Sequence, residues 1–131
     1  MLNIELIGWT INKTRLNADC LLKGENRLSI RLSFSTIIPE VNERALGSVA
    51  AKLKVDADDD NEFFFANLQF DFAFVDLDGK NVPEDKKNEI LKDEAFPIVY
   101  SQLCEYVKSF FSIARLKELK MPLYEEVARC L

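Results

Sequence analysis

An acidic run near the middle of the chain is the first candidate for chemistry, because carboxylate oxygens are ligands for hard cations. Asp58, Asp59, Asp60 and Glu62 stand close together in the sequence. The run lacks the ligand spacing of an EF-hand loop and the glycine that such a loop has at its centre. We therefore interpret it as a solvated turn between two strands and predict no metal site.

Acid–base and nucleophilic chemistry also lack support. Glu125 and Glu126 are adjacent carboxylates, but neighbouring positions on a helix diverge by about 100°, so a shared site is not expected. Cys20, Cys104 and Cys130 form no CxxC pair, and an odd count argues against a disulfide framework. The absence of histidine excludes Cys–His zinc sites and Ser–His or Cys–His catalysis. We predict reduced, mostly buried cysteines, no cofactor and no enzymatic activity.

Size, charge and hydropathy restrict the class of protein further. At 131 residues the chain fits one domain, residues 1–131, which is long enough to bury a core without disulfides. A net charge of −5 suits phosphate neutralisation poorly, so we predict no nucleic-acid binding. The N-terminus lacks the pattern of a signal peptide, and no window approaches the roughly 20 apolar residues of a membrane span. We expect a cytoplasmic protein with no direct membrane insertion.

The first half of the sequence alternates as β-strands do. Within 28–35, apolar residues alternate with Arg and Ser, and 49–55 repeats the pattern with lysines that are expected to point into water. Residues 4–16 hold one strand or two, with Gly8 at a bulge or bend. Asp78–Gly79 is a turn signal after the aromatic strand. The aromatic strand itself has on one face Phe64, Ala66, Leu68, Phe70, Phe72 and Phe74. We predict four strands joined by hairpin-type loops.

The last third of the chain changes to helical periodicity. Pro83 and the two carboxylates after it suit the start of a short helix that runs to about Leu91. Asp93 can cap the next, long helix, whose apolar positions form an arc of about 160°. Pro122 interrupts this pattern, and 123–131 predicts a final helix of about two turns. The order of elements predicts an α+β fold, with a four-stranded antiparallel sheet followed by a long helix and a short C-terminal helix.

The same segment carries a resemblance to a known family. Phe96-Pro97 opens the long helix, and residues 122–128 read Pro-Leu-Tyr-Glu-Glu-Val-Ala at the start of the last helix. With the aromatic strand Phe63–Asp76 in fourth place, this order resembles the SecB family of export chaperones. That family has a Phe-Pro-Tyr-type step and a Pro-Val-Asn-Phe-Asp-Ala-Leu-type step at these two places. The segment 112–120 departs from the Gly- and Pro-rich loop of the family and is more helix-like.

The resemblance implies an ATP-independent molecular chaperone. Such proteins are homotetramers, dimers of dimers in which long helices lie between two eight-stranded sheets, and they bind unfolded or extended polypeptide in apolar grooves. The implied further partner is the translocase motor in protein export, or an antitoxin that the chaperone protects. The alternative is a non-enzymatic oligomeric adaptor that binds one specific protein partner, and a weaker third hypothesis is a small-ligand binder. A holdase should expose more contiguous apolar surface than an adaptor.

Apolar side chains on the first strand, the aromatic strand and the inter-helix loop are the candidates for client binding. They are Trp9, Ile11, Phe63, Phe65, Leu116, Leu119, Met121 and Leu123. Phe63 and Phe65 are expected on the second face of the aromatic strand, where Phe65 contacts either a client or a second subunit. Leu119 and Met121 either line the groove or cover the open end of the core. We assign to core or tetramer packing Val99, Leu103, Val107 and Phe110.

Overall fold

A four-stranded antiparallel sheet with helices on one face forms the fold, as predicted. The computed structural model describes residues 3–17, 27–39, 46–58, 61–75 and 83–129. The strands are β1 (Ile4–Leu16), β2 (Leu28–Ile37), β3 (Leu46–Ala57) and β4 (Asn61–Phe74). The helical elements are α1 (Glu84–Ile90), a π-helical turn (Leu91–Ala95), α2 (Phe96–Ile113) and α3 (Tyr124–Ala128). Cys20, Cys130, Asp59–Asp60 and Asp78–Gly79 lie outside the described residues.

The strand order differs from a simple run of hairpins. β2, β3 and β4 are successive antiparallel neighbours, but β1 pairs with β4, which gives the order β1-β4-β3-β2. The prediction of hairpin connections is therefore wrong for the first connection, because β1 and β2 lie at opposite edges of the sheet. This arrangement is a Greek key. β2, β3 and β4 form a meander, and β1 lies beside β4 rather than beside β2.

Residues 4–16 form one strand that contains two irregularities. The register with β4 shifts between Leu6 and Gly8 and again between Ile11 and Lys13. Each shift inserts an extra residue on β1, which bends the strand locally. Gly8 thus lies at a bulge, as the sequence indicated.

The inner face of the sheet, defined as the face that the helices cover, holds the core. The strand residues that are at most 1% exposed on this face include Val49, Ala51, Leu53, Val55, Phe64, Ala66, Leu68, Phe70 and Phe72. From α2, Val99, Leu103, Val107 and Phe111 are buried against them. Alternation on the strands and a 3.6-residue period on α2 therefore bring two apolar surfaces together, and their burial is the main stabilising contribution.

The helical region from Glu84 to Ile113 is continuous. Asp93 lies inside the π-helical turn, so the prediction that it caps a separate helix is wrong. The Phe96 N–H donates to the carbonyl of Leu91, five residues back, and Pro97 follows near the start of α2. Because Pro97 has no N–H, a normal α-helical bond to the carbonyl four residues earlier is impossible there. The wider π turn accommodates this missing donor without breaking the helix.

The π-helical turn packs closely on β3. A Cβ atom at Gly47 would lie 3.0 Å from Leu91 Cδ1 and 3.1 Å from Phe74 Cε2, so only glycine fits without displacing them. Glu94 accepts hydrogen bonds from the backbone N–H of Asn3 (2.6 Å) and from its side-chain amide (3.0 Å). The turn is thus held against both the start of β3 and the residue that precedes β1.

The chain reverses after α2 and returns along it. Arg115 has a φ of 58°, the left-handed conformation that commonly ends a helix. The Tyr100 hydroxyl donates to the carbonyl of Pro122, which holds the returning segment against α2. The final helix is Tyr124–Ala128 and is shorter than the predicted 123–131. No helix in the described ranges combines the length and apolarity needed to cross a membrane.

Candidate polypeptide-binding surface

The edge strip, defined as Ile7, Trp9 and Ile11 on β1, is an exposed apolar surface. These side chains are 54%, 46% and 47% exposed. Among the described strands, β4 alone pairs with β1, so the other edge of β1 has no strand beside it. Proteins usually protect a long edge strand with charges, prolines or a covering segment, since an open edge pairs readily with other chains. An apolar edge that no described strand covers is therefore suited to contact with another polypeptide.

Trp9 is fixed in place within the edge strip. Its ring stacks on Phe70 with centroids 6.0 Å apart and meets Tyr106 of α2 edge-on at 6.0 Å. The hydroxyls of Tyr106 and Thr14 are hydrogen-bonded at 2.7 Å, which ties α2 to the same edge. Because the indole is already ordered on one side and exposed on the other, a partner could contact it with little further loss of side-chain freedom.

A cleft lies beside the opposite edge strand, β2. Its volume is about 680 Å³, and its lining includes Phe34, Phe96, Pro97 and Tyr124. The rings of Phe34 and Phe96 pack edge to face with centroids 5.1 Å apart. An extended chain that pairs with a strand edge can place its alternate side chains in such a cleft. Sequence reasoning missed this site, although Phe96-Pro97 and Tyr124 were already noted as motif residues.

The predicted residues of the inter-helix loop lie in different environments. Leu119 is buried, Leu116 and Met121 are half-buried and pack against the core, and Leu123 is 66% exposed. Met121 also lines a smaller cleft of about 460 Å³ between this segment and α2. Leu119 thus covers the core, while Met121 contributes both to the core and to a surface depression.

The two phenylalanines of β4 that were predicted to bind a client, Phe63 and Phe65, lie in different environments. Phe64 pairs with Val55 and Glu62 with Asp56, so Phe63 is the extra residue of a bulge. Phe63 is 2% exposed, and its ring packs against Phe111 with centroids 5.8 Å apart. The prediction that Phe63 lies on the second face is therefore wrong, because the bulge turns its side chain into the core. Phe65 does lie on the second face, half-buried, with the Arg15 guanidinium 4.3 Å from its ring centroid.

The predicted packing residues of α2 contact the core of the same subunit. Val99, Leu103 and Val107 are buried, and Phe110 is half-buried against Phe64 with ring centroids 5.2 Å apart. In the predicted apolar arc, the side chain that extends furthest into solvent is Ile113, at 85% exposure. The sheet of the same subunit therefore occupies most of the apolar arc.

The titratable groups beside the returning segment favour neutral forms. Burial raises the pKa of the Cys104 thiol, and a hydrogen bond with Tyr100 opposes this effect. Burial also raises the pKa of the Tyr100 hydroxyl, and the nearby Cys104 adds to the shift. A thiol with a raised pKa is a poor nucleophile near neutral pH. In the part of the chain that the structure describes, no three His, Cys, Asp or Glu side chains are grouped as metal ligands.

Comparison with known proteins shows a likeness at the level of the fold. No model of a known protein family matches the chain, and no curated protein matches its sequence. Among solved structures, it is similar to the Mycobacterium tuberculosis SecB-like chaperone Rv1957 in complex with a ChAD peptide from the Rv1956 HigA1 antitoxin. The TM-score is 0.68 at 10% sequence identity, over 92% of this chain and 86% of that chain. The described architecture is thus a SecB-like fold.

Proposed function

We propose that this chain is an ATP-independent chaperone that binds unfolded or extended polypeptide. The observation that carries the proposal is the edge strip, in which exposed aromatic and aliphatic side chains lie on β1, whose outer edge pairs with no described strand. Backbone groups on a strand edge bind an extended chain without regard to its sequence, and apolar side chains accept many partners. The fold likeness to a chaperone that holds an antitoxin peptide supports the same class of ligand.

The proposal includes a homotetramer built as a dimer of dimers. An eight-stranded sheet forms when one edge of each four-stranded sheet pairs with a second subunit, and the other edge is then left for a client. We assign the β1 edge to the client, since its edge strip is the more exposed apolar surface. The client is an exported protein or an antitoxin, and a translocase motor is a further partner in the first case.

Suppression of aggregation tests the chaperone proposal directly. Equimolar tetramer should slow the aggregation of a chemically unfolded substrate, and the double variant Ile7→Ser, Trp9→Ser should lose most of this effect. Ile113→Ser is the control, because it removes an exposed apolar side chain at the end of α2, outside the strip. A wild-type protein that fails to slow aggregation of any unfolded substrate would rule out the holdase function.

The native mass tests the assignment of the edge. Light scattering on a sizing column should give about four times the chain mass of 15.0 kDa, and the double variant should keep that mass. If the variant dissociates, the edge strip is a contact between subunits. The cleft beside β2 would then be assigned as the client-binding surface. A monomeric wild-type protein would contradict the tetramer.

The small extent of the edge strip favours one alternative, a non-enzymatic oligomeric adaptor for a single protein partner. Three exposed side chains are fewer than expected for a promiscuous groove. Competition distinguishes the two functions. Unrelated unfolded proteins should displace one another from a chaperone, whereas an adaptor should bind none of them.

A further inference from the structure

The open face of the sheet, defined as the face that none of the described helices covers, carries two adjacent rows of cations. In one row Arg31, Lys54, Phe65 and Arg15 stand side by side across the four strands. In the next row the order is Ser33, Lys52, Asn67 and Lys13. We call the five cations the basic patch: Lys13, Arg15, Arg31, Lys52 and Lys54. Lys13 and Lys52 are exposed, and the side chains of Arg15, Arg31 and Lys54 are 46%, 68% and 43% exposed.

The charge of the basic patch opposes the charge of the whole chain. The chain has a net charge of −5, yet among the described residues the five cations of the patch form ion pairs with only two carboxylates. Glu62 pairs with Arg15 at 2.8 Å, while Asp56 lies 4.0 Å from Arg31 and 3.8 Å from Lys54. Lys13 and Lys52 form no ion pair with any described residue. The patch therefore carries a surplus of positive charge although the chain as a whole is acidic.

Ion pairs within the sheet account for only part of this arrangement. Arg31 and Lys54 are directly opposite each other on β2 and β3, and like charges at such positions destabilise a strand pair. Asp56 offsets part of the repulsion at 4.0 Å from Arg31 and 3.8 Å from Lys54, but its Oδ1 atom makes no hydrogen bond. An anionic ligand above the patch would relieve the repulsion, which indicates a role in binding.

The dimensions of the basic patch define its ligand. Four neighbouring strands span about 14 Å, and an extended chain rises roughly 3.3 Å per residue. We propose that the open face binds a short acidic segment of a partner protein, about four extended residues long, whose carboxylates pair with the basic patch. The serine hydroxyls of β2, at Ser33 and Ser35, stand beside it as further donors.

Two features favour an acidic peptide over a nucleic acid. The ring of Phe65 lies under the Arg15 guanidinium at 4.3 Å, so it is not free to stack on a base. The patch is also bounded along the strands by carboxylates, with Asp56 and Glu62 at one end and Asp71 at the other. Ser48 and Gln69 fix the Asp71 carboxylate there at 2.6 Å and 3.2 Å. A long polyanion would meet these negative charges, whereas a short acidic segment fits between them.

The basic patch is separate from the proposed client surface. Trp9 and Ile11 lie opposite Phe70 and Leu68, on the inner side of β1, whereas Lys13 lies opposite Asn67 on the open face. The inference therefore does not depend on the chaperone function. Substitutions in the patch should leave suppression of aggregation unchanged, so the two proposals fail independently.

Fluorescence anisotropy tests the proposal with a labelled peptide that contains four consecutive glutamates. Wild-type protein should bind it, binding should weaken with added salt, and the double variant Lys13→Glu, Lys52→Glu should bind at least about tenfold more weakly. The matched control is Lys86→Glu, Lys117→Glu, which makes the same change in net charge at exposed positions elsewhere. The milder variant Lys13→Gln, Lys52→Gln should also weaken binding, and circular dichroism checks that each variant is folded.

Several results would overturn the proposal. These are equal loss of affinity in the patch and control variants, equal binding of a peptide with four glutamines, and no binding of the acidic peptide at all. Tighter binding of a single-stranded oligothymidine than of the acidic peptide would indicate that the basic patch binds nucleic acid instead.

Discussion

Along β4, residues with even numbers from Phe64 to Phe74 are buried against the helices, whereas their neighbours Phe65, Gln69 and Asp71 are half-buried among charged and polar groups. The same four strands thus present an apolar inner face and a polar open face. The inner face gains its stability from packing that tolerates little change in volume. The open face has few such constraints, so its side chains are free to serve recognition. The difference predicts where substitutions affect folding and where they affect binding.

The largest difference between the two faces should come from truncating a core phenylalanine. Phe70 is 1% exposed and stacks on Trp9, so Phe70→Ala should lower the free energy of unfolding by about 3–5 kcal/mol. Ser33→Ala, at an exposed position on the open face, should change it by less than about 0.5 kcal/mol. Urea denaturation followed by circular dichroism measures both values. Similar losses in the two variants would contradict the comparison.

The close contact between the inner face and the π-helical turn gives the next effect. Gly47→Ala places a methyl group 3.0 Å from Leu91 Cδ1 and should destabilise the fold by about 1–3 kcal/mol. Gly8→Ala is the matched control, because a Cβ atom there has no neighbour within 4 Å. The difference between their denaturation midpoints tests the prediction. It would be wrong if Gly47→Ala were as stable as Gly8→Ala.

A smaller effect is expected where the returning segment covers the helices. Tyr100→Phe removes the hydrogen bond to the Pro122 carbonyl and should cost about 0.5–1.5 kcal/mol near neutral pH. Burial raises the pKa of this hydroxyl above its ordinary value of 10.0, so the folded state holds the proton more tightly than the unfolded state. Its contribution is therefore complete below about pH 10 and is lost as the pH rises further.

Melting curves at several pH values measure this dependence. Between about pH 9 and about pH 11, the wild-type protein should lose more stability than Tyr100→Phe does. An equal loss in both proteins would show that Tyr100 is not the group responsible.

The smallest effect should come from an ion pair on the open face. Arg15 makes two hydrogen bonds to Glu62, at 2.8 Å and 3.1 Å, but both side chains are partly exposed. Glu62→Gln should therefore cost only about 0.2–1 kcal/mol, and added salt should reduce the difference. Chemical denaturation at low and high salt checks this. A loss comparable to that of Phe70→Ala would show that the open face is structurally as important as the inner face.

Features with a local signal were predictable from the sequence. Alternation identified the buried residues of β3 and β4, and helical periodicity identified Val99, Leu103 and Val107 as inward-facing. The position of Gly8 at a bulge was also predicted, because glycine in a strand marks a bend or close approach. These patterns are set by one segment at a time, which is why a single sequence contains them.

Features that depend on two segments were not predictable in this way. Nothing in the sequence of β1 indicates that its neighbour is β4. The bulge that buries Phe63 is a matter of register between β3 and β4, and alternation alone gives the opposite face. Asp93 and Pro97 suggested a helix boundary because their usual roles are at helix ends. The cleft beside β2 combines three elements that are distant in sequence.

The π-helical turn has a consequence for the phase of the long helix. Buried positions recur every fourth residue from Lys87 through Leu91, Ala95 and Val99 to Phe111, but in a regular α-helix steps of four drift by about 40° each. The π-helical turn between Leu91 and Ala95 contains about one residue more than a turn of α-helix, and this extra residue offsets part of the drift. Deleting one residue there would rotate α1 by roughly 100° relative to α2. The direction in which α1 faces the sheet is therefore adjustable by a single residue, with the core of α2 left in place.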